Sequence, residues 1–212
     1  MAIIKNGILG GVSGKAGPVV GSSWKRIYIL KIRSKKKIKK KDLLPQHFKI
    51  GMMSKFLHPF LKEIRIGFNN FKQKDSQYNR AMSYNLHRAV KGTFPDFVVD
   101  YPNIKFSRGD RETAWSGKAV LLEDNHVKIS WEIPETVKLK MVGNDLVRVM
   151  MYAEDKKKGT TFDDMAIRRD LEITFHIATY FKGCRMQIWL FFVSPDGKSV
   201  SDTDYIGAVQ LK

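Results

Sequence analysis

The chain has 212 residues, 43% hydrophobic and 28% charged, which is enough for one large domain or two small domains with hydrophobic cores. The single cysteine, Cys184, excludes an intramolecular disulfide and a cysteine-rich metal site. The formal net charge is +17, and residues 1–100 hold most of it with 21 Lys+Arg against 5 Asp+Glu, so a polyanionic partner is favoured for that half.

The sequence pattern of residues 3–33 predicts a small unit of β-strands, which we call the β-unit. The segment "AIIKNGIL" is short and β-branched, and "SWKRIYILKIR" alternates approximately with a period of two. Lys5 and Asn6 interrupt the apolar N-terminus, and no apolar run reaches the length of a signal peptide or a membrane span. We therefore expect a cytoplasmic protein, either free or part of a particle released without a secretion signal.

The glycine-rich stretch "GGVSGKAGPVVG" invites comparison with a nucleotide-binding P-loop, but its spacing does not fit. Leu9 occupies the first glycine position of that motif and Ala16 occupies the hydroxyl position. Gly17-Pro18 disfavours the helix whose N-terminus would bind phosphate. Glycines for turns and close backbone approach explain the stretch better.

Glycine-rich segments with apolar flanks can also lie along a neighbouring subunit by strand addition. We therefore predict an assembly contact at this stretch. Its residues are Gly10, Gly11, Gly14, Gly17, Val19, Val20 and Gly21.

The run "KKKIKKK" follows the β-unit. It is either a solvated linker or a site that binds polyanions by releasing their counterions. The candidate polyanion-binding residues are Lys35, Lys36, Lys37, Lys39, Lys40 and Lys41. Base-specific reading is unsupported, because the chain has no helix-turn-helix, zinc-finger or RNA-recognition motif.

Two helices are predicted next. The first begins near Leu44-Pro45, carries an aromatic stripe (Phe48, Phe56, Phe60 and Phe68), and should kink or split at Pro59. The second spans about residues 76–90, with Asp75 or Ser76 as its N-cap and Gly92 as its left-handed end. We expect a helical hairpin whose apolar stripes pack together or against the N-terminal strands.

From about residue 97 the sequence predicts about eight short strands, separated by turns that contain Gly, Asn, Asp or Pro. This pattern predicts an antiparallel β-sandwich of immunoglobulin or fibronectin type III character, with Trp131 in its core. The predicted fold class is α+β. Residues 1–95 form a basic Gly-rich β-unit plus helical hairpin, and residues 96–212 form the sandwich.

No residue set identifies a reaction. The five histidines lack metal-ligand spacing, and Cys184 has no identifiable base. We therefore predict no catalytic residue, no metal, no cofactor and no small-molecule substrate.

The N-terminal pattern N-G-x-L-G-G-x-S-G-K-x-G-x-V-V-G-x-x-W-[KR], from Asn6 to Lys25, resembles the start of an uncharacterised bacterial family. That family is known mainly from the Bacteroidetes and is catalogued as a domain of unknown function. "AMSYNLHRAVKGTFPDFVVDY", Trp115, the "W" of "ISWE", and "SDTDYIG" resemble it too, so the similarity spans most of the chain. The resemblance implies no activity, and the lysine run is heavier than the family pattern.

These observations favour a non-enzymatic structural or interaction protein. Its expected partner is itself, in an oligomer, filament or particle, or another protein, with the N-terminal region at the contact. Sequence-independent binding of nucleic acid by the basic half is the alternative, and an enzyme has the least support.

Overall fold

The computed structural model describes residues 2–4, 10–24, 27–33, 45–69 and 75–211. It divides the chain into two compact units, residues 1–43 and 44–212. Antiparallel sheets occur in both units, and helices occur in the second, so the fold is mixed α/β. Within the described part of the chain, no helix is long and apolar enough to cross a bilayer.

The first unit is a four-stranded antiparallel sheet in the order β1-β2-β3-β4. Its strands are β1 (Ala2–Ile4), β2 (Val12–Ala16), β3 (Val19–Trp24) and β4 (Ile27–Ile32). Gly17, with φ of 57°, allows the tight turn between β2 and β3. The β structure expected over residues 3–33 is confirmed for the described residues.

The second unit begins with helices. Helix α1 (Pro45–Leu57) continues through a 3₁₀ turn (His58–Phe60) into α2 (Leu61–Gly67), so Pro59 splits the helix as expected. Helix α3 (Gln77–Arg88) starts at Ser76, whose side chain accepts a hydrogen bond from the Asn79 amide.

Two further antiparallel sheets and a short hairpin follow the helices. The hairpin pairs β5 (Val90–Lys91) with β6 (Val98–Val99), and Gly92 adopts its left-handed conformation in that turn, not at the end of α3. One of these sheets has three strands and the other has four.

These elements have the following bounds. The strands are β7 (Trp115–Leu121), β8 (His126–Glu132), β9 (Leu146–Ala153), β10 (Lys158–Ile167), β11 (Glu172–His176), β12 (Arg185–Val193) and β13 (Asp204–Gln210). The three-stranded sheet has the order β11-β8-β7, and the four-stranded sheet has the order β10-β9-β12-β13. The remaining helical elements are α4 (Leu139–Val142) and 3₁₀ turns at Tyr101–Asn103, Arg168–Asp170 and Thr179–Phe181. The segment "NIKFS", residues 103–107, forms no strand.

The four-stranded sheet is buried on both faces. Alternate residues such as Ile188 and Leu190 of β12 join β8 and β11 in one core, which also contains Trp131. The residues between them, such as Trp189 and Phe191, pack in a second core with the helices. A strand covered on both faces has a continuous apolar sequence, which explains "MQIWLFFV".

The second core changes the predicted domain organisation. Phe56 and Phe60 bury their rings against Tyr152 of β9. Gly159 of β10 lies so close to Phe60 that an added Cβ would stand 2.4 Å from its ring. The helices therefore belong with residues 96–211, and the structure divides the chain near residue 43 instead of residue 95.

Candidate functional site

The register of β3 and β4 assigns the side chains of the N-terminal sheet to two faces. Tyr28, Leu30 and Ile32 of β4 lie opposite Ser23, Gly21 and Val19 of β3, and all six share one face. We call this surface the Leu30 face. Ile27, Ile29 and Lys31, with Trp24, Ser22 and Val20, occupy the other face.

The Leu30 face is apolar and open to solvent. Tyr28, Leu30 and Ile32 are 60%, 64% and 85% exposed. Gly21 and Ser23 are too small to cover the side chains opposite them. The described residues of this unit form one layer, so no described strand of the unit covers this face. Such exposure is unusual, because secondary-structure elements normally pack in at least two layers.

The glycines of the predicted assembly contact have neighbours inside their own unit. Gly21 is buried, and an added Cβ would stand 2.0 Å from the Val12 carbonyl oxygen. At Gly11 a Cβ would meet the Tyr28 ring at 1.8 Å. Gly10, Val19 and Val20 are half-buried. Gly14 and Gly17 both adopt positive φ, so backbone conformation accounts for glycine there.

The six lysines of the candidate polyanion-binding run, within residues 35–41, lie outside the described residues. Their charge is a property of the sequence. Residues 1–43 carry 12 Lys+Arg and a single Asp or Glu. Lys15, Lys31 and Arg33 of the described sheet are exposed and belong to this positive segment.

A buried charge cluster joins the helices to the four-stranded sheet. Glu63 of α2 is fully buried, and its Oε2 lies 3.3 Å from Nη1 of Arg148 in β9. The same Nη1 lies 3.5 Å from Oδ2 of Asp163 in β10, and Arg148 Nη2 donates to Asp164 at 2.9 Å. Burial, and then the charge of Asp163, raise the pKa of Glu63 to about 7 although Arg148 opposes the shift.

A second buried charge cluster joins the 3₁₀ turn Arg168–Asp170 to the residue before β9. Arg168 is 2% exposed, with Nη1 at 3.4 Å from Oδ2 of the fully buried Asp145. Arg111 contacts the other carboxylate oxygen at 2.5 Å. The Arg168 guanidinium stacks over Phe192 at 3.8 Å, and its carbonyl accepts from Trp131 Nε1. Every charge here has a partner, so removing one partner would leave an uncompensated buried charge, and the arrangement offers no open reactive group.

The structure brings together two histidines that are 50 positions apart in the sequence. His126 of β8 and His176 of β11 are cross-strand partners, with ring centroids 5.2 Å apart, beside an open cleft. Among the described residues, no group of three or more His, Cys, Asp or Glu side chains could hold a metal ion. Cys184 is 3% exposed, so its thiol has little access to solvent.

Sequence reasoning missed the two charge clusters and the exposed Leu30 face. Arg148 stands inside the apolar run "LVRVMM", and a charge in a buried strand requires a partner. Its partner Glu63 is 85 positions away, so the sequence does not identify it. Tyr28, Leu30 and Ile32 have the alternation of a covered strand, and only the register reveals that Ser23 and Gly21 lie opposite the first two.

A protein-family model matches residues 11–207, which include most of the N-terminal sheet and nearly all of the second unit. The chain belongs to DUF6266, a family of unknown function. The resemblance to an uncharacterised family is thus confirmed, and the Bacteroidetes origin and the complete N-terminal motif stay predictions. Membership in DUF6266 assigns no activity to any residue described above.

No curated protein matches the chain. Among solved structures, the chain is similar to the crystal structure of the FN5 domain of Drosophila Lar. The two are 15% identical with a TM-score of 0.34, and the match covers 46% of this chain and 92% of that domain.

Proposed function

We propose that this DUF6266 protein is a non-enzymatic structural or interaction protein that assembles with copies of itself, or docks another protein, through its N-terminal sheet. The observation that carries the proposal is the Leu30 face, whose three large apolar side chains are between 60% and 85% exposed. Full burial of a Leu or Ile side chain contributes about 1.5–3 kcal/mol, so covering Leu30 and Ile32 would contribute several kcal/mol to an association.

The second unit supports a role as a scaffold. We propose that its three- and four-stranded sheets form a sandwich of the immunoglobulin or fibronectin type III kind, with the helices as an added layer. Its buried ionisable side chains Glu63, Arg148, Asp145 and Arg168 form ion pairs inside the unit. A sandwich whose buried charges are paired with one another suits a structural role, although the fold class alone does not assign one.

The test replaces the apolar face and leaves the fold intact. We expect size-exclusion chromatography with light scattering to show a concentration-dependent oligomer for the wild-type chain and a monomer for the Leu30→Ser/Ile32→Ser double variant. Val120→Ser is the matched control, because Val120 of β7 is 55% exposed but lies in the second unit. It should retain the wild-type oligomer.

A wild-type monomer at all concentrations would remove self-assembly and leave docking to another protein. Docking to another protein would then require a co-purifying protein that the Val120→Ser variant retains and the double variant loses. An oligomer that survives in the double variant would contradict the proposal in both forms.

Sequence-independent nucleic-acid binding is the second candidate, favoured by the 12 Lys+Arg against one acidic residue in residues 1–43. Each neutralised phosphate releases counterions, so binding should weaken steeply as salt rises. The measurement is the A260/A280 ratio and heparin retention at low and high salt. Neutralising the six lysines of residues 35–41 should abolish retention, and unchanged retention in that variant would refute this candidate. Cytoplasmic location stays a prediction.

A further inference from the structure

Strand β4 forms one edge of the N-terminal sheet, and no other described strand pairs with its outer side. The Arg33 amide donates to the Pro18 carbonyl at 2.7 Å, which orients Arg33 toward β3. Hydrogen-bonding direction alternates along an antiparallel strand, so Ile29 and Lys31 also bond to β3. Tyr28, Leu30 and Ile32 therefore direct their N–H and C=O groups toward the open edge.

The second unit protects its edge strands, and β4 lacks those devices. A register shift interrupts β10 after Asp163, with Asp164 at φ of 53°, and another interrupts β7, with Ser116 at φ of 48°. Such bulges and inward charges prevent edge-to-edge pairing. Strand β4 pairs with β3 in continuous register over six residues, contains no proline, and has Lys31 as its single charge.

We propose that β4 pairs antiparallel with β4 of a second copy, across a two-fold axis at Leu30, so that two N-terminal sheets join into one. This inference rests on the proposed function and specifies its contact. Only residues whose N–H and C=O groups face the open edge can hydrogen-bond across it. The register must therefore pair Tyr28, Leu30 and Ile32 of one copy with the same three residues of the other. The register centred on Leu30 uses all three residues: Leu30 pairs with Leu30 of the other copy, and Tyr28 pairs with Ile32 of the other copy.

The side chains fit that register. Three hydrogen-bonded pairs exchange about six backbone hydrogen bonds. Tyr28 beside Ile32 of the other copy is an aromatic–β-branched cross-strand pair, a favourable combination. Lys31 lies opposite Ile29, whereas moving the axis to Lys31 would place two lysines directly opposite each other, which is destabilising.

The charge of the N-terminal unit also favours an antiparallel pair. In the centred register, Arg33 of one copy and Arg33 of the other are offset by six residues along the ribbon. At about 3.4 Å per residue this is about 20 Å. The two Arg33 residues are therefore separated by more than the Debye length of about 8 Å at physiological salt.

The test introduces one cysteine into the full chain. Directly opposed hydrogen-bonded residues have Cα atoms about 5.5 Å apart, within the range for a disulfide. Leu30→Cys should therefore yield a covalent dimer under mild oxidation, measured by intact mass and non-reducing electrophoresis. Lys31→Cys is the matched control, because the two positions would be about 8 Å apart and beyond disulfide reach. The native Cys184, 3% exposed, is present in both variants.

A second variant removes the hydrogen bond and keeps the strand. Leu30→Pro deletes an N–H that faces the edge and leaves the bonds to β3, a position where proline is tolerated. It should convert the oligomer to monomer with unchanged circular dichroism, whereas Leu30→Ala should retain the oligomer with weakened affinity.

The outcomes separate this inference from the proposed function. A wild-type oligomer with no Leu30→Cys dimer and no dissociation by Leu30→Pro would overturn edge pairing, and assembly through the Leu30 face would stand. A covalent dimer formed equally by Lys31→Cys would overturn the register. A wild-type monomer at all concentrations would overturn both edge pairing and self-assembly.

Discussion

The buried carboxyl of Glu63 makes the stability of the second unit depend on pH, and Glu63→Gln is the change that isolates it. Glu63 Oε1 and Asp163 Oδ1 have no hydrogen-bond partner among the described residues, apart from a proton that the two carboxyls can share. A glutamine amide can donate to Asp163 in place of that proton. The variant therefore reproduces the protonated form at every pH.

The direction in which the free energy of unfolding changes with pH follows from proton binding. With its pKa raised to about 7 in the folded chain and near 4.5 when unfolded, Glu63 holds a proton in the folded state between those values. The unfolded state binds fewer protons there, so the free energy of unfolding falls as pH rises from about 4.5 to about 7. At 1.36 kcal/mol per pKa unit, this loss is on the order of 3 kcal/mol.

Urea unfolding at pH 5 and pH 8 measures the effect. The wild-type chain should lose on the order of 3 kcal/mol more than Glu63→Gln over this interval, so the variant becomes the more stable protein at pH 8. Glu135→Gln, at an exposed position, is the control and should behave as wild type. Parallel pH profiles for wild type and Glu63→Gln would refute the reasoning. A wild type that gains stability with pH relative to the variant would show that Arg148 keeps Glu63 charged.

Two more substitutions test the buried polar groups. Thr203→Val removes the hydroxyl that accepts from two buried amides, of Phe106 at 3.0 Å and Ser107 at 2.8 Å. We expect urea unfolding to show a loss of about 2–4 kcal/mol in the free energy of unfolding. Thr203→Ser keeps the hydroxyl and should lose less than about 1 kcal/mol. Arg168→Met leaves Asp145 buried with Arg111 as its remaining charge partner, and thermal unfolding should show a loss of about 3 kcal/mol; a change below about 1 kcal/mol would contradict this role.

The helices could be predicted from the sequence because their limits are set locally. Pro59 lacks an amide hydrogen, and its ring conflicts with the preceding turn wherever the helix packs. Ser76 caps α3 through an amide three residues away. Such features depend on residues within one helical turn of each other. The sequence therefore contains everything that determines them.

The layer order could not be predicted, because an apolar stripe does not specify what covers it. Phe56 would be equally buried against the N-terminal strands or against β9, and the structure selects β9. The run "MQIWLFFV" conceals its alternation because both faces of β12 are covered by apolar groups. Placing the helices with the N-terminal strands followed from chain proximity, whereas the actual core joins Phe56 to Trp189, 133 residues away.

The glycine-rich stretch illustrates the same distinction for the candidate site. The sequence correctly indicated glycines in close approach to a neighbour, and in the structure Val12 and Tyr28 of the same unit are such neighbours for Gly21 and Gly11. A glycine in such close contact with its own unit leaves little surface for a partner. The groups still available for association are those opposite the glycines. Leu30 is the foremost of them: it lies across from Gly21, its side chain is exposed, and its backbone N–H and C=O groups face the unpaired edge of the sheet. Small residues on β3 thus expose large ones on β4, and this makes β4 the surface to test first.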